Sequence, residues 1–243
     1  MTKLYKIFLG SLTSLLLMLQ PSFSEMKLGN AGSISATVAA ASGKYSKGLL
    51  TNRNQPTASL GIDYNSPFGL YLSTSIANDA NDKGTTPDYS YEWCYTPGYK
   101  SNFNKVSVDL SYENCKLEST TTTGTYQAKF NVEANKNTNV FLNYYQDSTE
   151  GTRRAVGNGT MAKWTYEAGL SYNFGPFVTT ASYLETEKLL TVMSLGISKE
   201  ILGINLAGTF YSVNSNNDAN YVSVASQRTI DHDHFIISAS KTF

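Results

Sequence analysis

Residues 163–174 alternate without a break. Trp164, Tyr166, Ala168, Leu170, Tyr172 and Phe174 share one side; Lys163, Thr165, Glu167, Gly169, Ser171 and Asn173 share the other. A period of two places successive side chains on opposite faces of a pleated sheet. The same alternation runs through Thr57–Asn65, Lys105–Glu113 and Thr125–Ala134. After residue 25 nothing shows a helical period near 3.6, and nothing approaches the roughly 18 apolar residues of a spanning helix. The expected fold class is all-β.

A soluble sandwich alternates in the same way, so the connections must decide. Tight-turn signals stand at Ser66–Gly69, Ser101–Asn104, Asn135–Thr138, Asn173–Pro176 and near Lys199–Gly203. Longer polar stretches lie between them: Lys44–Gln55, Asn78–Tyr89, Lys116–Gly124, Asp147–Thr160 and Ser212–Arg228. Only the connection near Glu185–Lys188 is short on that side. Turns at one end and loops at the other are the signature of a transmembrane barrel with periplasmic turns and extracellular loops. The spacing predicts an antiparallel up-and-down β-barrel of about twelve strands over residues 25–243, with both termini in the periplasm.

The N-terminus agrees. Lys3 and Lys6 precede an apolar run from Ile7 to Leu19, then Pro21, with Ser22 and Ser24 before a cut at Glu25. That is the anatomy of a secretory signal peptide over residues 1–24. Export places the mature chain in an oxidising compartment and, as a barrel, in the bacterial outer membrane among lipid and lipopolysaccharide. In the last segment Phe235, Ile237, Ala239 and Phe243 share a face. A closing strand that ends in Phe243 is what the barrel-assembly machinery is expected to recognise. Lys241 interrupts that face, where a Lys can snorkel.

Composition narrows the function. Lys+Arg and Asp+Glu are equal at 19 each, and no basic cluster stands out, so nucleic acid is not an expected partner. The 17 Tyr suit a membrane–water interface. No GxSxG elbow is present, and His232 and His234 in Asp231–His234 are the only histidines, so no enzyme is expected. The two histidines share a strand face and read as a solvated rim; with two Cys besides, no metal site and no cofactor are expected.

Alternation also assigns an interior. Asp63, Glu92, Lys105, Asp109, Glu113, Lys129, Glu133, Lys163 and Glu167 are expected to point inward, because charge on the lipid face costs up to about 2–4 kcal/mol for a Lys at midplane. Acids outnumber Lys in this set, which favours weak cation preference. Cys94 and Cys115 face the interior on neighbouring strands. A turn at Ser101–Asn104 sets Cys94 opposite Ser111, about 13 Å short of Cys115. A bond then needs a bulge or a shifted register, so bonded and free thiols both stay open. All four arginines, Arg53, Arg153, Arg154 and Arg228, fall in the long loops. They suit either a positive ring at the mouth or the phosphates of lipopolysaccharide. Arg153 and Arg154 sit mid-loop, which favours the mouth.

One stretch resembles a known family. Gly43–Asp79 carries Tyr45, Lys47, Gly48, Pro56 and Gly69-Leu70-Tyr71, and Glu92–Tyr112 carries Gly-Tyr before a tight turn. Both resemble the opening hairpins of the TorF-type proteobacterial porin family, whose basic residue is commonly Arg where this chain has Lys47. The resemblance covers the first half of the mature chain and names no binding residue. It implies an outer-membrane channel for passive diffusion of small hydrophilic solutes. The alternative is a non-conducting structural barrel or surface adhesin that acts through its loops.

Overall fold

The alternating segments are strands, and together they form one closed ring. A computed structural model describes residues 25–46, 49–50, 55–82, 87–117, 123–147, 164–187, 190–215 and 233–243. Its barrel strands are β1 (Ser33–Ala41), β2 (Thr57–Asn65), β3 (Leu70–Asp82), β4 (Pro87–Phe103), β5 (Val106–Leu117) and β6 (Thr123–Asn135). They continue as β7 (Thr138–Asp147), β8 (Trp164–Asn173), β9 (Val178–Thr186), β10 (Leu190–Ile201), β11 (Ile204–Ser215) and β12 (His234–Thr242). Each pairs antiparallel with its neighbour in sequence, and β12 returns to β1, as in Ser238 opposite Ala41. Twelve strands therefore close without an edge. Closure is what lipid demands, since an unpaired N–H or C=O there costs several kcal/mol.

The seam is reinforced at its lip. β12 stops short of the start of β1, and Met26–Lys27 fills the vacant ladder opposite Ile34 and Ser33. Phe243 and Ala36 exchange two backbone hydrogen bonds of 2.7 and 2.9 Å. Carried once around, the register returns to β1 displaced by about 16 residues, which tilts the strands by about 40°.

Connections segregate by end. Residues 66–69, 104–105, 136–137, 174–177 and 202–203 make the turn end, where residue 25 and Phe243 also lie. The opposite strand ends, among them Ala41 of β1, Thr57 of β2, Leu117 of β5 and Thr123 of β6, make the loop end. Two expected long loops are shorter than their polarity suggested. Asn78–Asp82 and Pro87–Tyr89 continue the β3–β4 hairpin, and β5 and β6 run to Leu117 and from Thr123. A hairpin that projects above an apolar belt meets water on both faces, so its strands lose the alternation by which strands are read.

The β4–β5 turn is also displaced. Ser101–Phe103 belongs to β4, and the chain reverses at Asn104–Lys105, where Asn104 takes φ 55°. Asn tolerates that left-handed conformation better than Ser or Phe. The shift moves every pairing of the hairpin.

The two faces are inverted relative to a soluble protein. Outward residues are apolar and open: Leu195 is 62% and Ile237 60% exposed, with Leu60, Ile62, Leu72, Leu142, Met193 and Ile197 in the same band. A continuous apolar belt of this extent far exceeds the few hundred Å² that a water-facing surface carries. Aromatic side chains edge it at both ends. At the loop end Tyr112 meets Tyr126 at 4.9 Å, and Trp164 stacks on Tyr166 at 5.5 Å between ring centres. At the turn end Tyr172, Phe174 and Phe177 form a chain with centres 4.6 and 5.0 Å apart. Charges in outward phase, Lys116, Glu185, Lys199 and Lys241, sit toward strand ends, and Glu185 accepts hydrogen bonds from Tyr166 and Tyr183. Among the described residues no helix is long and apolar enough to cross a membrane.

Candidate channel lumen

The inward face has two unlike walls. β2 to β8 carry its charge: Asp63, Glu92, Lys100, Asp109, Glu113, Lys129, Asp147 and Glu167, all in the inward phase. β9 to β12 and β1 carry neutral groups instead: small ones such as Thr180, Ser182, Ser194, Gly196, Thr209, Ser238 and Ala39, and near the loop end the apolar Leu184, Leu190, Val192 and Val213. Among the described residues of this second wall, the inward charged or titratable side chains include Glu200 toward the turn end and the paired Tyr211 and His234 toward the loop end.

Each wall is held by its own bonds. On the charged wall Tyr71 donates to Asp109 at 2.7 Å, and the Lys100 ammonium lies 3.7 Å from the same carboxylate. That ammonium also lies 4.4 Å from the centre of the Tyr71 ring. Ser73 donates to Asp63, Asn143 to Glu167 at 3.1 Å, and Thr125 to Asp147 at 2.9 Å. On the neutral wall the Ser182 and Ser194 hydroxyls pair at 2.8 Å, and Thr165 pairs with Thr186 at 3.1 Å near its border. Hydroxyls and carboxylates that bond along the wall do not need to reach across the lumen.

Two inward aromatics lie against glycines of the neighbouring strand. Tyr71 stands opposite Gly98, where a Cβ would fall 2.4 Å from the Tyr71 Cζ. Phe141 stands opposite Gly169, where a Cβ would fall 2.4 Å from the Phe141 Cζ. The glycines let large rings rest on the wall.

At the loop end a segment of chain turns inward. Ser42 still bonds to Ile237 of β12, at 2.8 Å through its N–H and 3.1 Å through its hydroxyl, and Gly43 is buried. Lys44 then pairs with Glu92 of β4. Tyr45 stacks on Tyr211 of β11 with ring centres 3.9 Å apart. Both tyrosines pack on a buried apolar cluster of Leu184, Leu190, Val192 and Val213 from β9 to β11. This is the barrel's internal apolar patch among the described residues.

The expected interior residues divide. Asp63, Glu92, Asp109, Glu113, Lys129 and Glu167 stand on the inner face, half-buried. Lys105 does not; it occupies the displaced β4–β5 turn and is exposed. Glu133 keeps the inward phase but sits at the turn end, exposed, in a shallow polar depression with Lys105, Asn102 and Asn139. Lys163, Arg53, Arg153, Arg154, Arg228 and His232 lie outside the described residues, as does the 1–24 segment.

Cys94 and Cys115 are bonded. The two-residue turn places them directly opposite each other, not four residues out of step. Glu92 lies beside this pair, but sulfurs engaged with each other are not metal ligands. Lys100, Asp147, Lys44 and Tyr45 were not read as interior. Lys100 shares the parity of Glu92 and was hidden by the misplaced turn; nothing in the sequence marks the inward path of Lys44 and Tyr45.

Solved structures share the architecture. The KdgM porin covers 86% of this chain and 98% of its own at TM-score 0.56 and 10% identity. The NanC porin covers the same shares at TM-score 0.54 and 11% identity. The fold is that of a porin barrel. A further KdgM porin structure, in complex with disordered oligogalacturonate, matches at TM-score 0.54 and 10% identity. No protein-family model matches this sequence, and no curated protein does. The porin-type barrel here differs in sequence almost everywhere, so its lumen must be read from its own residues.

Proposed function

We propose that this chain is an outer-membrane channel for passive diffusion of small hydrophilic solutes, with weak cation preference. One observation carries it: an apolar belt edged by two aromatic girdles encloses a face of carboxylates, ammoniums, hydroxyls and glycines. Eight strands leave an interior just filled by side chains, and the diameter grows with strand number. Twelve strands enclose a wider interior, and below the apolar cluster one wall of it is mostly Ser, Thr, Gly and Ala, which suits a water path. The described interior carries Asp63, Glu92, Asp109, Glu113, Asp147 and Glu167 against Lys44, Lys100 and Lys129. That balance favours cations and opposes an acidic polymer such as oligogalacturonate. The resemblance to the TorF-type porin family supports the same role, and Phe243 at the seam suits recognition by the barrel-assembly machinery.

Reconstitution into planar bilayers tests it. The expected result is discrete conductance steps and a reversal potential on the cation side. Clear anion selectivity would refute the preference. A folded barrel that never conducts would leave the second reading, a structural or adhesive barrel acting through its loops. The inward Lys44–Tyr45 segment is the observation that favours that alternative.

A further inference from the structure

We propose that the Ser42–Tyr45 segment is the constriction of this barrel, and that the carboxylates of the facing sector, β5 to β8, set the preference of its passage for small cations. This rests on the channel reading and names its narrow point and the charge class that passes.

The geometry begins with two consecutive residues. Lys44 binds Glu92 on β4, while Tyr45 packs on Tyr211, Leu184, Leu190, Val192 and Val213 of β9 to β11. β4 and β10 lie half-way round the ring from each other. Residues whose Cα atoms are about 3.8 Å apart therefore touch opposite walls at once. A segment that does this spans the lumen.

The segment also occupies a definite side. It leaves β1, stays bonded to β12 through Ser42, and turns inward at the buried Gly43. It thus lies over the sector from β11 through β1 to β4. Inward positions of β1 to β3 near the loop end are small: Ala39, Ala41, Ser59 and Ala77. Small side chains leave the room the strap fills. The facing sector, β5 to β8, carries Glu113, Asp147 and Glu167 half-buried beside the buried Thr125, Gln127 and Thr165. Acidic groups on the wall that faces the strap favour cations.

Its anchor is fixed. Glu92 stands two residues from Cys94, which is bonded to Cys115 on β5, so the strand that receives Lys44 is tied to its neighbour. On the other wall the strap ends on stacked rings over an apolar cluster. One polar and one apolar contact, on opposite sides, hold it across the mouth.

The test uses the whole mature chain in planar bilayers, with heat-modifiable gel migration to confirm folding. Lys44→Ala with Tyr45→Ala should raise single-channel conductance about two-fold or more and admit larger neutral polyethylene glycols. Lys44→Ala alone, which releases one anchor, should give a smaller rise. Glu113→Gln with Glu167→Gln should bring the cation-to-anion permeability ratio toward unity without changing the polymer cutoff. A conducting wild type whose strap variants keep its conductance and cutoff overturns the constriction alone. A silent wild type with a conducting strap variant overturns the constriction, because the strap then closes the barrel. Silence in both refutes the channel reading and the strap with it. An unchanged permeability ratio in the carboxylate variant overturns the role of the facing carboxylates.

Discussion

Cys94 on β4 and Cys115 on β5 stand directly opposite each other on the inner wall and are bonded across 21 residues of sequence. The bond closes a hairpin whose far end carries the Asn104–Lys105 turn. By loop-closure entropy a loop of this length contributes about 3 kcal/mol. Cys94→Ser with Cys115→Ser is therefore expected to lower the urea midpoint of the refolded barrel and still allow folding, because the backbone ladder of the hairpin remains. Loss of the heat-modifiable folded band would show that the bond is needed for folding itself.

Gly98 sets the position of Tyr71. Any Cβ there meets the ring and pushes the Tyr71 hydroxyl off Asp109. Gly98→Ala is expected to cost about 1–3 kcal/mol, as overpacking does. Tyr71→Ala in the same chain should remove most of the added cost, giving a coupling of at least about 0.5 kcal/mol in urea titrations. Simple additivity would contradict the contact.

The outward face of β10 should reject charge. Leu195 projects from the middle of the strand into the apolar belt. Leu195→Arg is expected to destabilise the barrel in vesicles by about 2–4 kcal/mol, as for a charge near the bilayer midplane. Ser194→Arg, one residue away and inward, should cost much less. Equal costs would mean that the belt does not face lipid.

The long loop segments, residues 44–55, 78–89, 147–160 and 212–228, are expected on the cell exterior, with the tight turns in the periplasm. Cysteine at Asn158 should label on intact cells and cysteine at Asn102, near the turn end, should not. Labelling at Asn102 alone reverses the orientation.

Arg153 and Arg154 are expected to set positive charge at the mouth. Arg153→Ala with Arg154→Ala should raise cation preference in single-channel recordings without altering folding. Unchanged selectivity with lower heat stability in lipopolysaccharide would place them on lipid phosphates instead.

The alternation of Trp164 to Phe174 by itself determined that β8 is a strand and which of its faces points out of the barrel, because a period of two is a local consequence of backbone pleating. Asp63, Glu92, Asp109, Glu113, Lys129 and Glu167 could be placed inward for the same reason, and turn-and-loop spacing set the twelve-strand count. Register was not local. It turned on which residues adopt the reversal after β4, and a shift of two positions moved Cys94 from Ser111 to Cys115 and Lys105 from the wall to the rim. Only the closed barrel decided that Lys44 meets Glu92 and that Tyr45 meets Tyr211. Those partners lie far along the chain on opposite walls, and contacts across a lumen leave no periodicity in the residues that make them.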